Sequence, residues 1–327
     1  MVWIIFLLSS IALVIAAIHL ANNADVIAIR TGLGGALVGI LLVASTTSLP
    51  EILTIISSIS QGTPDIAAGN LLGSNMFNIV LIAVLDIAGR NERVLRKAAL
   101  KHALTGSLAV LMIGLAVLFL VLDVDLMIGW VGFDSIVIVL AYVSAILLIR
   151  KNSNSDQEIE SEIPENLPSM RRAVIGFSIA ALVLVIATPI LVDASVKIAE
   201  ITGLGTSFIG TTLVAVVTSL PELVICIAAI RIGAHDMAIG NLFGSNMFNM
   251  FILGATDIFY TQGRFLASID SSFILVGILG LLMTTFGLIS NLIRFERRVG
   301  FMEIDALVLI LLYFSGLWLL YSQSAVP

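Results

Sequence analysis

The sequence predicts an all-α integral membrane protein in which ten transmembrane helices form two inverted-topology five-helix repeats. Three observations support this class: the composition, a duplicated pair of motifs, and a one-sided distribution of basic residues. Of the 327 residues, 59% are hydrophobic and 12% are charged, whereas a soluble domain is about 25% charged. We predict a first repeat over 1–149, a linker over 150–171 and a second repeat over 172–327.

Apolar runs define the ten predicted helices. Each run approaches or exceeds the roughly 20 residues that a helix needs to cross a bilayer, and is too long for a strand of a membrane barrel. The first run lacks the basic region of a signal peptide and has a counterpart at 172–199, so we interpret it as a span. The runs lie near 2–20, 34–60, 64–88, 99–121, 126–149, 172–199, 205–231, 236–260, 270–293 and 302–322.

Two motifs occur once in each half, and the copies of each are 171 residues apart. The first motif reads ASTTSLPE at 44–51 and AVVTSLPE at 215–222. The second motif reads GNLLGSNMFN at 69–78 and GNLFGSNMFN at 240–249. Each half therefore places one carboxylate inside an apolar run. Because a buried acid in a membrane is costly, its duplication indicates a function for the pair.

The basic residues orient the chain. Fourteen of the 16 Lys and Arg residues fall in loops on the face opposite the N-terminus, and only Lys197 and Arg264 fall on the N-terminal face. Basic loops face the cytoplasm, so we predict a cell-membrane protein with both termini extracellular and the linker 150–171 cytoplasmic. Five helices per half is an odd number, which inverts the second half. The linker is polar and acidic, typical of a solvated connection, and it lacks the turn glycine of a calcium-binding loop.

The TSLPE motif has the chemistry of a cation site. Pro50 and Pro221 lie inside apolar runs, where proline removes a helical hydrogen bond and frees carbonyl oxygens just upstream. Beside each proline are Thr and Ser hydroxyls and a carboxylate, Glu51 or Glu222. Oxygen ligands suit hard cations such as Ca²⁺ and Na⁺. The alternative is a proline kink with a locally satisfied acid, which the duplication makes less favourable.

The GNxxGSN motif adds further polar groups at helical spacing. Ser74 and Asn78 are four residues apart and share a helix face, as do Ser245 and Asn249. We predict that these four are ligands or lie next to ligands. Hydrogen bonding between helices and ion binding remain equal alternatives for the other amides. Those amides belong to Asn70, Asn75, Asn241 and Asn246.

If the two glutamates meet, their repulsion must be neutralised. One Ca²⁺, two monovalent cations or two protons would do so, which gives a physical basis for exchange. The predicted partners are therefore Ca²⁺ with Na⁺ or, alternatively, H⁺, together with the lipid bilayer. We predict no prosthetic group, no nucleic acid and a functional monomer. The same reasoning predicts a transporter and not an enzyme, since no histidine accompanies either glutamate to support hydrolysis.

At these motifs the chain resembles the calcium/cation antiporter superfamily, and within it the prokaryotic type of sodium/calcium exchanger. The resemblance covers the whole chain. It implies exchange of Ca²⁺ for Na⁺ by alternating access, with sliding of the first and sixth helices. It also implies the following site roles: Glu51 and Glu222 as central acids; Thr47 and Thr218 as carbonyl ligands of Ca²⁺; Ala44 and Ala215 as carbonyl ligands of flanking Na⁺; Ser48, Ser74, Ser219 and Ser245 as hydroxyl ligands of Na⁺; Asn78 and Asn249 as the remaining midplane positions.

The chain departs from the family pattern at three positions. Thr46 and Val217 stand where the family usually has glycine, and Asn249 stands where some microbial members carry aspartate. The ion stoichiometry and the choice between Na⁺ and H⁺ as coupling ion therefore remain open, as does a different divalent ion. A cation channel is disfavoured because one chain holds both inverted halves.

Two further acid pairs share the offset of 171 residues. Asp86 and Asp257 lie eight residues beyond the second motifs, so we predict a structural or gating pair at the membrane edge. Asp134 and Asp305 each open an apolar run, which is typical of a helix N-cap.

Overall fold

A computed structural model describes residues 1–31, 46–88, 102–153, 167–231, 235–293, 298–299 and 302–324. Almost all of these residues are helical, so the predicted all-α class is confirmed. The helices of the first half are α1 (Val2–Thr31), α2 (Leu49–Ser60), α3 (Pro64–Ala88), α4 (Ala103–Leu122) and α5 (Phe133–Ser153). Those of the second half are α6 (Met170–Thr202), α7 (Thr206–Ile209), α8 (Ala215–Thr218), α9 (Leu220–Arg231), α10 (His235–Ala255), α11 (Phe265–Ser268), α12 (Phe273–Ile293) and α13 (Ile304–Ser324).

Three kinds of short element complete the described chain. A π-helical turn (Gly210–Val214) joins α7 to α8, and a 3₁₀ turn (Thr256–Ile258) follows α10. Two antiparallel hairpins precede α5 and α13. Their strands are β1 (Met127–Ile128), β2 (Val131–Gly132), β3 (Arg298–Val299) and β4 (Met302–Glu303).

Within the described residues, eight helical segments are long and apolar enough to cross a membrane. They are Val2–Thr31, Pro64–Leu85, Ala103–Leu122, Phe133–Asn152, Met170–Thr202, Thr206–Arg231, Ser272–Ser290 and Ile304–Gln323. The predicted run 34–60 is described only from residue 46 onward and contains α2, a shorter apolar helix. The predicted run 236–260 contains α10, which has 21 residues. Ten spans therefore remain a prediction.

Two predicted runs begin as hairpins and not as helix. The run 126–149 becomes helical only at Phe133, because its first residues form β1 and β2 around a turn in which Gly129 has φ 68°. A positive φ is readily adopted by glycine. The run 302–322 likewise becomes helical at Ile304, after β4. An apolar sequence alone does not reveal these turns.

The first helices of the two halves pack against each other as an antiparallel pair. Near the end of α1, Arg30 donates to the carbonyl of Leu167, just before α6 begins, at 2.7 Å. Further along, Gly176 of α6 lies so close to Asn23 of α1 that an added Cβ would be 2.7 Å from the amide oxygen. The buried apolar residues of this pair form one cluster with Ile66 of α3 and with Ile209, Val214 and Val217. A larger cluster involves α3, α4, α10 and α12.

Candidate cation-binding site

Each glutamate of the TSLPE motifs lies in the first turn of a helix that begins beside a proline. Glu51 is the third residue of α2, and Glu222 is the third residue of α9. The serine before each helix has a near-helical conformation, with φ −86° and ψ 10° at Ser48 and φ −89° and ψ 0° at Ser219. The predicted break is therefore shallow. Pro221 has no N–H, so it cannot donate a helical hydrogen bond to the carbonyl four residues upstream. The backbone nevertheless stays close to helical across the break.

The two glutamates are buried and lie close enough to interact electrostatically. Each is only 1% exposed. Thr218 of the other half lies beside the carboxylate of Glu51, and Thr47 lies beside that of Glu222. The Oε2 atom of each carboxylate has no hydrogen-bond partner among the described residues. None of the ion pairs between described residues involves either glutamate, so within that part of the chain no cationic side chain neutralises the pair.

The asparagines of the GNxxGSN motifs connect α3 to α10. Asn78 donates from Nδ2 to Oδ1 of Asn246, and Asn249 donates from Nδ2 to Oδ1 of Asn75, both at 3.0 Å. Asn246 also donates to the backbone carbonyl of Asn75 at 3.1 Å. These bonds use the amide nitrogens of Asn78 and Asn249. Their Oδ1 atoms have no partner among the described residues, which leaves an acceptor oxygen in each half.

A second set of contacts joins α3 to the end of α8. Thr218 donates to Oδ1 of Asn70 at 2.8 Å. The carbonyl of Ala215 accepts from the backbone N–H of Ser219 at 3.1 Å, from the Thr218 hydroxyl at 3.3 Å and from Ser74 at 3.4 Å. In this conformation the lone pairs of Ala215 are thus engaged by the protein itself, and a cation would have to displace a donor to use them.

The close approach of α3 to the π-helical turn depends on glycine. A Cβ at Gly69 would lie 2.8 Å from the backbone nitrogen of Thr211, and one at Gly73 would lie 2.4 Å from its carbonyl oxygen. Both distances are too short for any side chain, so in the first copy of the motif the two glycines allow close backbone packing. The π-helical turn was not predicted; such turns occur frequently at functional sites.

Eleven of the twelve predicted site residues are described, and all eleven are at most 1% exposed. Ala44 lies outside the described residues. Apart from the two glutamates, buried oxygens without a partner among the described residues occur on Ser48, Ser219, Ser245, Asn78 and Asn249. An uncompensated buried polar group is costly, so a set of such oxygens on the same motifs as the two carboxylates fits a hard cation. No group of three or more His, Cys, Asp or Glu side chains able to hold a metal occurs in the part of the chain that the structure describes.

Asp134 and Asp257 lie together elsewhere, around Arg264. The Arg264 side chain is 6% exposed and is 2.6 Å from Asp123, 3.5 Å from Asp134 and 3.6 Å from Asp125. Asp257 accepts from the backbone N–H groups of Gly132 at 2.8 Å and Phe265 at 2.6 Å. We call these four aspartates and Arg264 the arginine cluster. Asp257 has a structural role here, whereas the side chain of Asp86 lies outside the described residues.

The predicted N-cap role of Asp134 and Asp305 is wrong by two positions. Their helices begin at Phe133 and Ile304, so each aspartate is the second helical residue. Each aspartate instead accepts from the N–H of the next residue, Ser135 at 2.8 Å and Ala306 at 2.9 Å. Asp305 also pairs with the hydroxyl of Ser290. Both acids thus stabilise a first helical turn and a contact to another element.

Comparison with known proteins identifies the class. The model of the family described as "Sodium/calcium exchanger protein" matches residues 1–150 and 172–322. The chain therefore belongs to this family, and the resemblance inferred from the motifs is confirmed. Members of the family are cation exchangers embedded in membranes and not enzymes.

Individual relatives agree with this class. The chain is 28% identical to "Putative antiporter CaxA" of Alkalimonas amylolytica over 345 residues, covering 98% of each protein. It is 28% identical to "Sodium/calcium exchanger MaX1" of Methanosarcina acetivorans over 300 residues, covering 79% of this chain and 83% of that one.

Solved structures share the fold. The H⁺/Ca²⁺ exchanger CAX matches with a TM-score of 0.65 and 16% identity, over 99% of this chain and 90% of that one. The sodium-calcium exchanger NCX_Mj matches with a TM-score of 0.61 and 21% identity, over 97% of this chain and 99% of that one.

Proposed function

We propose that the chain is a secondary active antiporter that exchanges Ca²⁺ for Na⁺ by alternating access. The observation that carries this proposal is the buried pair Glu51 and Glu222, each beside a threonine of the other half. One oxygen of each carboxylate has no partner among the described residues. A relative over most of the chain is named a sodium/calcium exchanger, which supports sodium as the coupling ion.

The charge of the pair explains why exchange would be obligatory. Two unneutralised carboxylates in a low-dielectric interior repel each other and are costly to move. One Ca²⁺ or two Na⁺ neutralises them equally. The loaded site can therefore change the side of the membrane to which it is open. An empty site would have to carry uncompensated charge through the membrane. This discourages leak in either direction.

The twelve predicted residues divide into two sets in this proposal. Glu51 and Glu222 bind Ca²⁺ together with the carbonyls of Thr47 and Thr218. The site extends for Na⁺ through hydroxyl and amide oxygens that have no partner among the described residues, on Ser48, Ser219, Ser245, Asn78 and Asn249. Ser74, Ala44 and Ala215 complete the proposed Na⁺ ligands, and Ala215 would exchange a protein donor for the ion.

The proposed architecture is a monomer of ten spans in two inverted halves. The antiparallel packing of α1 on α6 supports inversion, as do the asparagine bonds that pair Asn75 with Asn249 and Asn78 with Asn246. We place both termini outside the cell membrane and the linker 150–171 inside, from the basic residues. In this proposal the α1–α6 pair slides against the other helices, as the family resemblance implies.

The proposal is tested by Ca²⁺ uptake into proteoliposomes loaded with Na⁺, with choline, or with acid. Uptake driven by the outward Na⁺ gradient supports Na⁺ coupling, and Glu51→Gln should abolish it. Uptake driven only by the proton gradient would replace this proposal with H⁺-coupled exchange of Ca²⁺ or another divalent cation, because protons can neutralise the same glutamates. Absence of Ca²⁺ uptake under every gradient would contradict both.

A further inference from the structure

Four of the six buried residues of helix α2 have polar side chains, and the other two are Pro50 and Ile55. Thr54, Ser57 and Ser58 are 0%, 5% and 0% exposed. Ile56, on the other side of the helix, is 40% exposed. A membrane helix that buries hydroxyls and exposes isoleucine to lipid is expected when its polar face lines a path or a binding site.

The buried hydroxyls lie in one line with the glutamate. Glu51, Thr54, Ser58 and Gln61 are separated by three, four and three residues, so they follow one face of the helix. At 1.5 Å per residue the line is about 15 Å long, half of the roughly 30 Å hydrocarbon core. We call Thr54, Ser57 and Ser58 the hydroxyl stripe. It connects the glutamate to the end of α2.

The hydroxyl stripe is not fully satisfied by protein. The Thr54 hydroxyl is buried and has no hydrogen-bond partner among the described residues. Ser58 donates only to the carbonyl of Thr54, at 2.7 Å, within the same helix. Thr54 therefore presents an oxygen beside Glu51 that packing between helices does not use. A buried hydroxyl without a hydrogen-bond partner indicates that a ligand contacts it for part of the time.

Gln61 lies over the outer end of the stripe. Its amide nitrogen is 3.0 Å from the Ser57 hydroxyl and 3.2 Å from the carbonyl of Pro189 in α6. It thereby connects α2 to one of the two helices that we propose to slide. Movement of α6 would break the contact with Pro189 and uncover the stripe.

The matching face of α9 has no such stripe. The positions equivalent to Thr54, Ser57 and Ser58 are Ile225, Ala228 and Ala229, all apolar. The position equivalent to Gln61 is residue 232, which lies outside the described residues. The two halves thus share the glutamate but not the residues leading away from it, so the stripe is not required by the shared fold.

We propose that the hydroxyl stripe is the route by which cations pass between Glu51 and the membrane face at which α2 ends, the face of the N-terminus. Its hydroxyl oxygens lie about one helical turn apart, and each replaces part of the hydration shell of the ion as the ion passes. The corresponding face of α9 carries no cations. This inference rests on the proposed function, because it needs Glu51 to bind the transported ion.

Cysteine accessibility tests the route, and the chain suits the method because Cys226 is its only cysteine. In a Cys226→Ala background, Thr54→Cys, Ser57→Cys and Ser58→Cys are treated with a membrane-impermeant thiol reagent from the N-terminal face. The matched variants Ile225→Cys, Ala228→Cys and Ala229→Cys are treated from the opposite face. Ser60→Cys, an exposed position at the end of α2, is the positive control. All are tested in Na⁺, in Ca²⁺ and with neither ion.

We expect labelling of the stripe cysteines to be at least about tenfold faster than that of their α9 counterparts. The reactive form of a cysteine is the thiolate, which forms where water and the reagent can reach the side chain. Saturating Ca²⁺ should slow labelling at Thr54→Cys most. Failure of all three stripe cysteines to react in every ion condition would overturn the route, as would equal labelling in α9. Labelling requires no transport, so a chain coupled to H⁺ instead of Na⁺ would still show the route.

Discussion

The glutamate pair and the arginine cluster handle buried acids in opposite ways. In the arginine cluster the protein supplies the cation, Arg264, and backbone N–H groups satisfy both oxygens of Asp257. At Glu51 and Glu222 none of the ion pairs between described residues supplies a positive charge, and one oxygen of each carboxylate lacks a partner there. The first arrangement is complete without a ligand; the second is not.

This difference separates structural acids from functional ones better than burial does. Asp134 is 1% exposed, as is each glutamate, and it comes from the same kind of duplicated position. What differs is the partner. A buried ion pair with good geometry can persist. Two buried carboxylates that have no positively charged partner need cations from outside the protein. The comparison predicts that acids of the first group affect stability and those of the second affect transport.

The largest effect is expected at the glutamates. Glu51→Gln and Glu222→Gln should each weaken Ca²⁺ binding at least about 30-fold, because truncating one partner of a buried charge interaction costs about 2 kcal/mol or more. Uptake assays should then show no Ca²⁺ exchange. The unfolding midpoint measured without Ca²⁺ should not fall, because each substitution removes the repulsion between the two carboxylates.

Exposed Glu200→Gln, at the end of α6, is the matched control and should transport as the unaltered protein does. Thermal stabilisation by Ca²⁺ gives a second reading, and it should disappear in both site variants. Retained uptake in either of them would contradict the assignment of that glutamate.

Arg264→Gln should produce the largest loss of stability. It would leave Asp134 buried without its cation, at a cost of about 3–5 kcal/mol. The measurement is the unfolding midpoint in detergent, with and without Ca²⁺, and the stabilisation by Ca²⁺ should persist. Lys197→Gln is the control: its ion pair with Asp193 is about half exposed and should contribute within about 1 kcal/mol. If the two variants unfolded alike, the cluster would not be a structural unit.

How far the sequence predicts these two regions can be seen residue by residue. Glu51 and Glu222 are identifiable because the motif repeats at a fixed offset, and the spacing of Ser74 and Asn78 places them on one helix face. Spacing within a helix says nothing about partners in the other half. The bonds from Thr218 to Asn70 and from Asn249 to Asn75 therefore required coordinates.

The arginine cluster was less predictable for the same reason. In the sequence, Arg264 stands out only as one of two basic residues on the N-terminal face. Asp123, Asp125 and Asp134 come from segments more than 120 residues away in the chain. Thr54 and Ser58 were also missed, although comparison of the two halves in sequence would have shown hydroxyls in one and Ile225 and Ala229 in the other.

Asp257→Asn should cause a smaller loss of stability. The amide retains one acceptor oxygen, so either Gly132 or Phe265 loses the partner of its backbone N–H. An unsatisfied buried donor costs about 1–3 kcal/mol. We expect a lower unfolding midpoint with Ca²⁺ uptake per folded molecule maintained. Asp193→Asn on the exposed surface of α6 is the control, and a selective loss of transport in Asp257→Asn would instead give Asp257 a gating role.

The smallest effect is expected at Asp125, and it distinguishes two views of the arginine cluster. The Asp125 side chain is 88% exposed and 3.6 Å from Arg264, so Asp125→Asn should change stability by less than about 1 kcal/mol. If the cluster instead attracted cations by its net negative charge, the same variant would slow cation capture at low ionic strength, and added salt would remove the difference. We expect the initial rate of uptake to be unchanged at both ionic strengths when the cation is supplied at the N-terminal face. That result would mean that the cluster stabilises the structure through its bonds to Arg264. The transported cation would then be attracted by Glu51 and Glu222.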